Sequence, residues 1–136
     1  MDKYIHTVQY YETDKMGITH HSNYIRWMEE ARCDLLNQIG CPYDEMEELG
    51  VISPVTAVEC KYKLSTTYAE KIAIKASIEE FKGVKLKVSY VMENEAGKTV
   101  FEGKSEHCFL SKEGKPIILA KTLPKVCDIL EKAVGK

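Results

Sequence analysis

Residues 10–32 read YYETDKMGITHHSNYIRWMEEAR and form the richest stretch of chemistry-bearing side chains in the chain. An acid (Asp14), two histidines (His20, His21), an amide (Asn23) and several tyrosines surround Gly17 and the start of a predicted helix. A helix start has backbone N–H groups without partners and the positive end of the helix dipole. Such a place can stabilise an oxyanion. A carboxylate is ionised at neutral pH unless strongly perturbed. Asp14 could therefore activate water as a base or attack an activated carbonyl itself. A thioester suits this chemistry, because its carbonyl is more electrophilic than an amide's and its thiolate leaves readily. The same residues have plainer uses. Asp14 can close a turn, and Asn23 can serve as a helix-start residue. His20 and His21 can be ordinary loop residues; as neighbours in sequence they would not share a helix face and could not be paired metal ligands there.

The elements that would position these groups can be read from periodicity. Residues 4–11 (YIHTVQYY) suit a strand, and residues 12–21 a loop. Ser22 is placed to cap a helix running to about Gly40, and Pro42 to start a short helix ending near Gly50. Tyr24, Ile25, Trp27, Met28, Ala31, Leu35, Leu36 and Ile39 cover an arc of about 180° on the longer helix. That is wide for a surface helix and predicts one enclosed by a curved sheet. Arg32 falls inside the arc, with Glu29 three residues earlier as its expected partner. After Gly50 the pattern turns to β. An interrupted strand over 51–64 is followed by alternating strands over 70–81, 84–94 and 98–110, with turns at Lys82-Gly83 and at 94–97. A short extended piece over 116–119 and a final helix from Pro124 complete the chain. A helix followed by consecutive hairpins predicts an antiparallel α+β fold.

With 136 residues the chain is expected to form a single domain, residues 1–136. Its 44% hydrophobic and 29% charged residues are ordinary for a globular protein. A net charge of −2 excludes the broad basic footprint of a general nucleic-acid binder. Apolar runs are too short to span a bilayer, and the N-terminal residues lack the pattern of a signal peptide. Five cysteines, with no CxxC and no zinc-finger spacing, read as reduced thiols in a cytoplasmic protein. Lys82, Lys85 and Lys87 form a small basic cluster, either solvated surface or a landing place for a phosphorylated ligand.

The motif Tyr10, Tyr11, Glu12, Thr13, Asp14, Gly17, His21, Asn23, Tyr24, followed by Glu29, Ala31 and Arg32, resembles the signature of hotdog-fold thioesterases of the 4-hydroxybenzoyl-CoA type, including the Tol-Pal-associated acyl-CoA thioesterases. Residues 58–72 resemble that family's second strand and following turn. The resemblance implies a hotdog fold, with a long central helix wrapped by a curved antiparallel sheet of about five strands. It implies hydrolysis of an acyl thioester to the free acid and coenzyme A, with Asp14 as the catalytic base or nucleophile. It places the oxyanion contact at the backbone N–H of position 21. The His21 side chain, Asn23 and Tyr24 would then orient substrate or shape the pocket, and Lys82 and Lys85 would meet coenzyme A phosphates. It also implies a homodimer or homotetramer and no metal or redox cofactor, coenzyme A being part of the substrate. Two features depart from the pattern. One acidic residue before Thr13-Asp14 is missing, and Asp14-Lys15-Met16-Gly17 is closer to related acyl-carrier-protein thioesterases, which usually have Asn where this chain has His21. An acyl-carrier-protein thioesterase is therefore the alternative, followed by a hotdog hydratase and a non-catalytic acyl-thioester binding module.

Overall fold

The computed structural model describes residues 2–136. It shows a five-stranded antiparallel sheet in the order β1-β4-β5-β6-β3, made of β1 (Tyr4–Thr7), β3 (Val55–Tyr62), β4 (Lys71–Phe81), β5 (Lys85–Glu93) and β6 (Thr99–Cys108). A two-residue pair, β2 (Val51–Ile52) with β7 (Leu110–Ser111), lies beside it. The helices are α1 (Asn23–Gln38), α2 (Tyr43–Glu48), α3 (Leu119–Thr122) and α4 (Pro124–Ala133). At 1.5 Å per residue α1 is about 24 Å long, and β4 at 3.3 Å per residue is about 36 Å. The long strands can therefore cover the helix from end to end.

The core is the helix–sheet interface. Trp27, Met28, Ala31 and Leu35 of α1 are buried with Ile72, Ile74 and Ile78 of β4, with Leu86, Val88, Tyr90 and Met92 of β5, and with Val100 and Phe101 of β6. The period-two pattern expected for residues 70–81 is met, Ala76 being half-buried. The buried arc of α1 still runs from Trp27 to Leu36, about 180°, although Ile25 within it is exposed.

Three local expectations change. β1 stops at Thr7, and Tyr10–Glu12 form a 3-10 turn instead of continuing the strand. The cause is Glu12, whose carboxylate captures the Gln9 N–H at 2.8 Å and His6 Nε2 at 2.8 Å, bending the chain. Ser22 stands at the N-cap of α1 but makes no side-chain cap; its hydroxyl meets His20 Nδ1 at 2.8 Å. Glu29 and Arg32 do not pair. Arg32 turns to the sheet and donates to the Tyr90 hydroxyl at 3.2 Å, while Glu29 lies on the solvent-facing groove of α1.

Candidate active site

Asp14 sits at the base of a tight hairpin. Thr13 and Thr19 bridge its two arms, the Asp14 N–H donates to the Ile18 carbonyl at 2.9 Å, and the Gly17 N–H to the Asp14 carbonyl at 3.0 Å. Gly17 has φ +80°, a conformation glycine adopts without a Cβ penalty. The Asp14 side chain is half-buried. Its Oδ1 accepts the Met16 N–H at 2.8 Å, so the turn-closing role expected of an aspartate is real. That bond also orients the carboxylate, whose Oδ2 has no protein donor among the described residues.

The return arm of the hairpin leads directly into α1. The Thr19 N–H donates to the Thr66 carbonyl at 2.9 Å and the His20 N–H to the Glu12 carbonyl at 2.8 Å. The first N–H groups of the turn into α1 are mostly used. That of Ser22 donates to His20 Nδ1, that of Asn23 to the His20 carbonyl, and that of Tyr24 to the His21 carbonyl. The N–H of His21 has no acceptor among the described residues. This is a donor of the kind an oxyanion needs.

The other predicted residues fall into different places. Asn23 is buried and points inward, its amide donating to the Glu12 and His20 carbonyls at 2.9 and 3.2 Å, so it builds the loop. Tyr24 is buried with its hydroxyl 3.0 Å from Thr66 Oγ1, and burial raises its pKa. The His21 ring is exposed, stacked on His20 at 4.3 Å between ring centroids. His21 and Tyr24 both line a cleft of about 210 Å³, with Ile18, Tyr62, Lys63 and Leu64 among the other lining residues. Tyr62 donates to the His21 carbonyl at 3.2 Å. Burial, with Cys60 next, pushes its pKa up to about 12.

Lys82 and Lys85 are not brought to this cleft within one protomer. They lie at the β4–β5 turn, whereas β4 begins at Lys71, paired with Thr7 just before the hairpin. The separation along β4 is about 36 Å. Each is engaged by a carboxylate, Lys82 by Glu80 at 2.7 Å and Lys85 by Glu106 at 3.4 Å.

Tyr62, Lys63 and Thr66 were not singled out from sequence. No local signal marks Thr66, whose importance comes from meeting Thr19 Oγ1 at 2.6 Å across 47 positions. Among the described residues, no group of three or more His, Cys, Asp and Glu side chains could hold a metal ion, and no helix is long and apolar enough to cross a membrane.

Comparison with known proteins follows the same lines. The profile of the thioesterase-like superfamily matches residues 8–132. The chain is 39% identical over 127 residues to a Bacillus subtilis (strain 168) protein named "Putative acyl-CoA thioesterase YneP", covering 93% of this chain and 92% of that one. The crystal structure of a DHNA-CoA thioesterase from Staphylococcus aureus superposes with a TM-score of 0.93 at 34% identity, covering 96% of this chain and 89% of that one. A gentisyl-coenzyme A thioesterase structure, BH1999, shares the fold with a TM-score of 0.81 at 22% identity, over 90% and 98% of the two chains.

Proposed function

The chain belongs to the thioesterase-like superfamily, and from that premise we propose a residue-level account of how it hydrolyses acyl-CoA thioesters. It is a hotdog-fold thioester hydrolase. The observation that carries the account is the hairpin, which sets the Asp14 carboxylate and the unpartnered His21 N–H on the two arms of one closed loop.

The thioester carbonyl lies against the start of α1, where the His21 N–H and the helix end stabilise the developing oxyanion. Asp14 either takes a proton from the attacking water or adds to the carbonyl to form an anhydride that water then opens. In both routes the C–S bond breaks, the acid is released and the thiolate leaves as coenzyme A. Tyr24 and Tyr62 wall the cleft. Their rings, with Phe101 stacked on Tyr24 at 5.1 Å, support an aromatic acyl group such as 1,4-dihydroxy-2-naphthoyl, the acyl group in the name of a Thermosynechococcus vestitus relative, a 1,4-dihydroxy-2-naphthoyl-CoA hydrolase. No metal or redox cofactor enters this account.

A homodimer, which can pair into a tetramer, is supported by β3. It is a sheet edge of eight residues, with Val55 and Val58 48% and 46% exposed. An unpaired edge of this length is a template for a second copy. A cytoplasmic location is supported by the five free thiols, Cys33, Cys41, Cys60, Cys108 and Cys127.

The test is thiol release across a panel of aromatic and aliphatic acyl-CoA and acyl-carrier-protein thioesters, with Asp14→Asn alongside. Hydrolysis by the native protein and loss of turnover in a folded Asp14→Asn variant are expected. Near-normal turnover by the variant would remove Asp14 from its role. Preference for acyl-carrier protein would move the thiol carrier. Water addition to an enoyl thioester without thiol release would point to a hydratase, and binding without turnover to a carrier module.

A further inference from the structure

Two residues before Asp14 stands a carboxylate that is 5% exposed, that of Glu12. A buried carboxylate is costly unless well hydrogen-bonded, and this one is held on three sides. Its Oε1 accepts the Gln9 N–H at 2.8 Å and His6 Nε2 at 2.8 Å; its Oε2 accepts the indole N–H of Trp27 at 2.7 Å. Burial alone would raise the Glu12 pKa, but these hydrogen bonds outweigh it and hold the carboxyl below its ordinary value. The main chain of the same residue is occupied as well. Its carbonyl accepts the His20 N–H at 2.8 Å and the Asn23 amide at 2.9 Å.

We propose that Glu12 is a positioning residue for the hydrolysis, fixing the distance between the Asp14 carboxylate and the His21 N–H. The proposal rests on the reading of Asp14 and His21 given above. Glu12 touches both arms of the hairpin. The outgoing arm leaves it through Thr13 to Asp14, and the return arm is tied to its carbonyl by His20, the neighbour of His21. Its side chain then anchors this junction to β1 through His6 and to α1 through Trp27. His6 passes the restraint outward, its Nδ1 lying 3.3 Å from Glu30 Oε1, which also accepts the Tyr4 hydroxyl at 2.7 Å. The Thr19–Thr66 bonds hold the return arm independently. Freeing the Glu12 carboxylate therefore lets the hairpin pivot without unthreading it. A misplacement of about 1 Å between reacting groups can cost about 100-fold in rate.

The decisive variant is Glu12→Gln, which keeps size and removes charge. Glutamine offers one acceptor oxygen and one donor nitrogen to three donors, so at least one of Gln9 N–H, His6 and Trp27 loses its partner. The single tryptophan of the chain reports the bond directly. We expect a folded variant with shifted Trp27 emission, kcat lowered about 10- to 100-fold and KM within about threefold of native. Trp27→Phe keeps a ring and deletes one donor, and should lower kcat about three- to tenfold with KM unchanged. Asp14→Asn run beside them should lose turnover with Trp27 emission unaltered.

A folded Glu12→Gln protein with shifted emission and native kcat would overturn the proposal. So would a fall in kcat that vanishes on cooling in step with recovered stability. If Glu12→Gln does not fold, native kcat in Trp27→Phe overturns it instead. An active Asp14→Asn would defeat the reading of Asp14. A slow Glu12→Gln beside that active variant would show that Glu12 does not work through Asp14.

Discussion

His107 couples stability to acidity in a way that can be worked through. It lies on β6 beneath α1, 1% exposed, with Nε2 2.8 Å from Ser105 Oγ. Burial, and secondly the Arg32 guanidinium, lower its pKa from 6.5 to about 4. The folded protein therefore keeps His107 neutral where the unfolded chain would already bind a proton. Its contribution is present in full above the unfolded value. It is lost as pH falls through the window between 6.5 and about 4. A shift of this size corresponds to about 3 kcal/mol across the window, and about 2 kcal/mol of that is lost by roughly pH 5. Urea unfolding followed by Trp27 fluorescence at a series of pH values measures the slope. Glutamine can still hydrogen-bond Ser105 but does not titrate. The His107→Gln variant should therefore lose stability between neutral pH and about pH 5 less steeply, by about 2 kcal/mol. Equal slopes in the two proteins would refute the reasoning, whatever their absolute stabilities.

Three other outcomes are expected. Asp14→Asn should lower kcat by about 10²- to 10⁴-fold, the range for a lost acid–base group, with an unchanged circular dichroism spectrum. Gly103→Ala would bring a Cβ to 2.6 Å from Phe101 Cε1 and 3.0 Å from the Glu59 carbonyl. It should cost about 1–3 kcal/mol in chemical denaturation. It should also raise KM, because the displaced Phe101 ring packs on Tyr24 and Tyr62. Val58→Lys places a charge on the exposed β3 edge and should shift sedimentation towards the monomer.

Much of the fold was legible because each element has a strong period. The Ile72, Ile74, Ile78 alternation predicted β4, and the wide arc through Trp27, Met28, Ala31 and Leu35 predicted a helix enclosed by a sheet. The errors arose where a side chain overrides local preference. YIHTVQYY reads as a strand, but the Glu12 carboxylate bends it at Gln9. Arg32 has a carboxylate within helical reach and goes instead to a hydroxyl 58 positions away. In the site, the spacing from Asp14 to His21 could be seen in sequence because both belong to one short loop. Tyr62 and Lys63, at the end of β3, and Thr66, which holds Thr19, could not, because the fold brings them to the hairpin from more than 40 positions away. The Lys82 cluster is legible as a cluster, but proximity in sequence to other lysines says nothing of which end of a long strand they occupy, and within one protomer they stand at the end of β4 away from the hairpin.

The hairpin of residues 13–19 also has a consequence for gene dosage. Both halves of the proposed machinery are delivered by one unbroken stretch of backbone, closed on itself by the Asp14 and Gly17 N–H bonds. No neighbouring subunit has to complete that pair. A disabled copy co-assembled with an intact one therefore leaves the intact copy's pair whole. Specific activity in a mixed population should follow the proportion of intact chains as a straight line, not as its square.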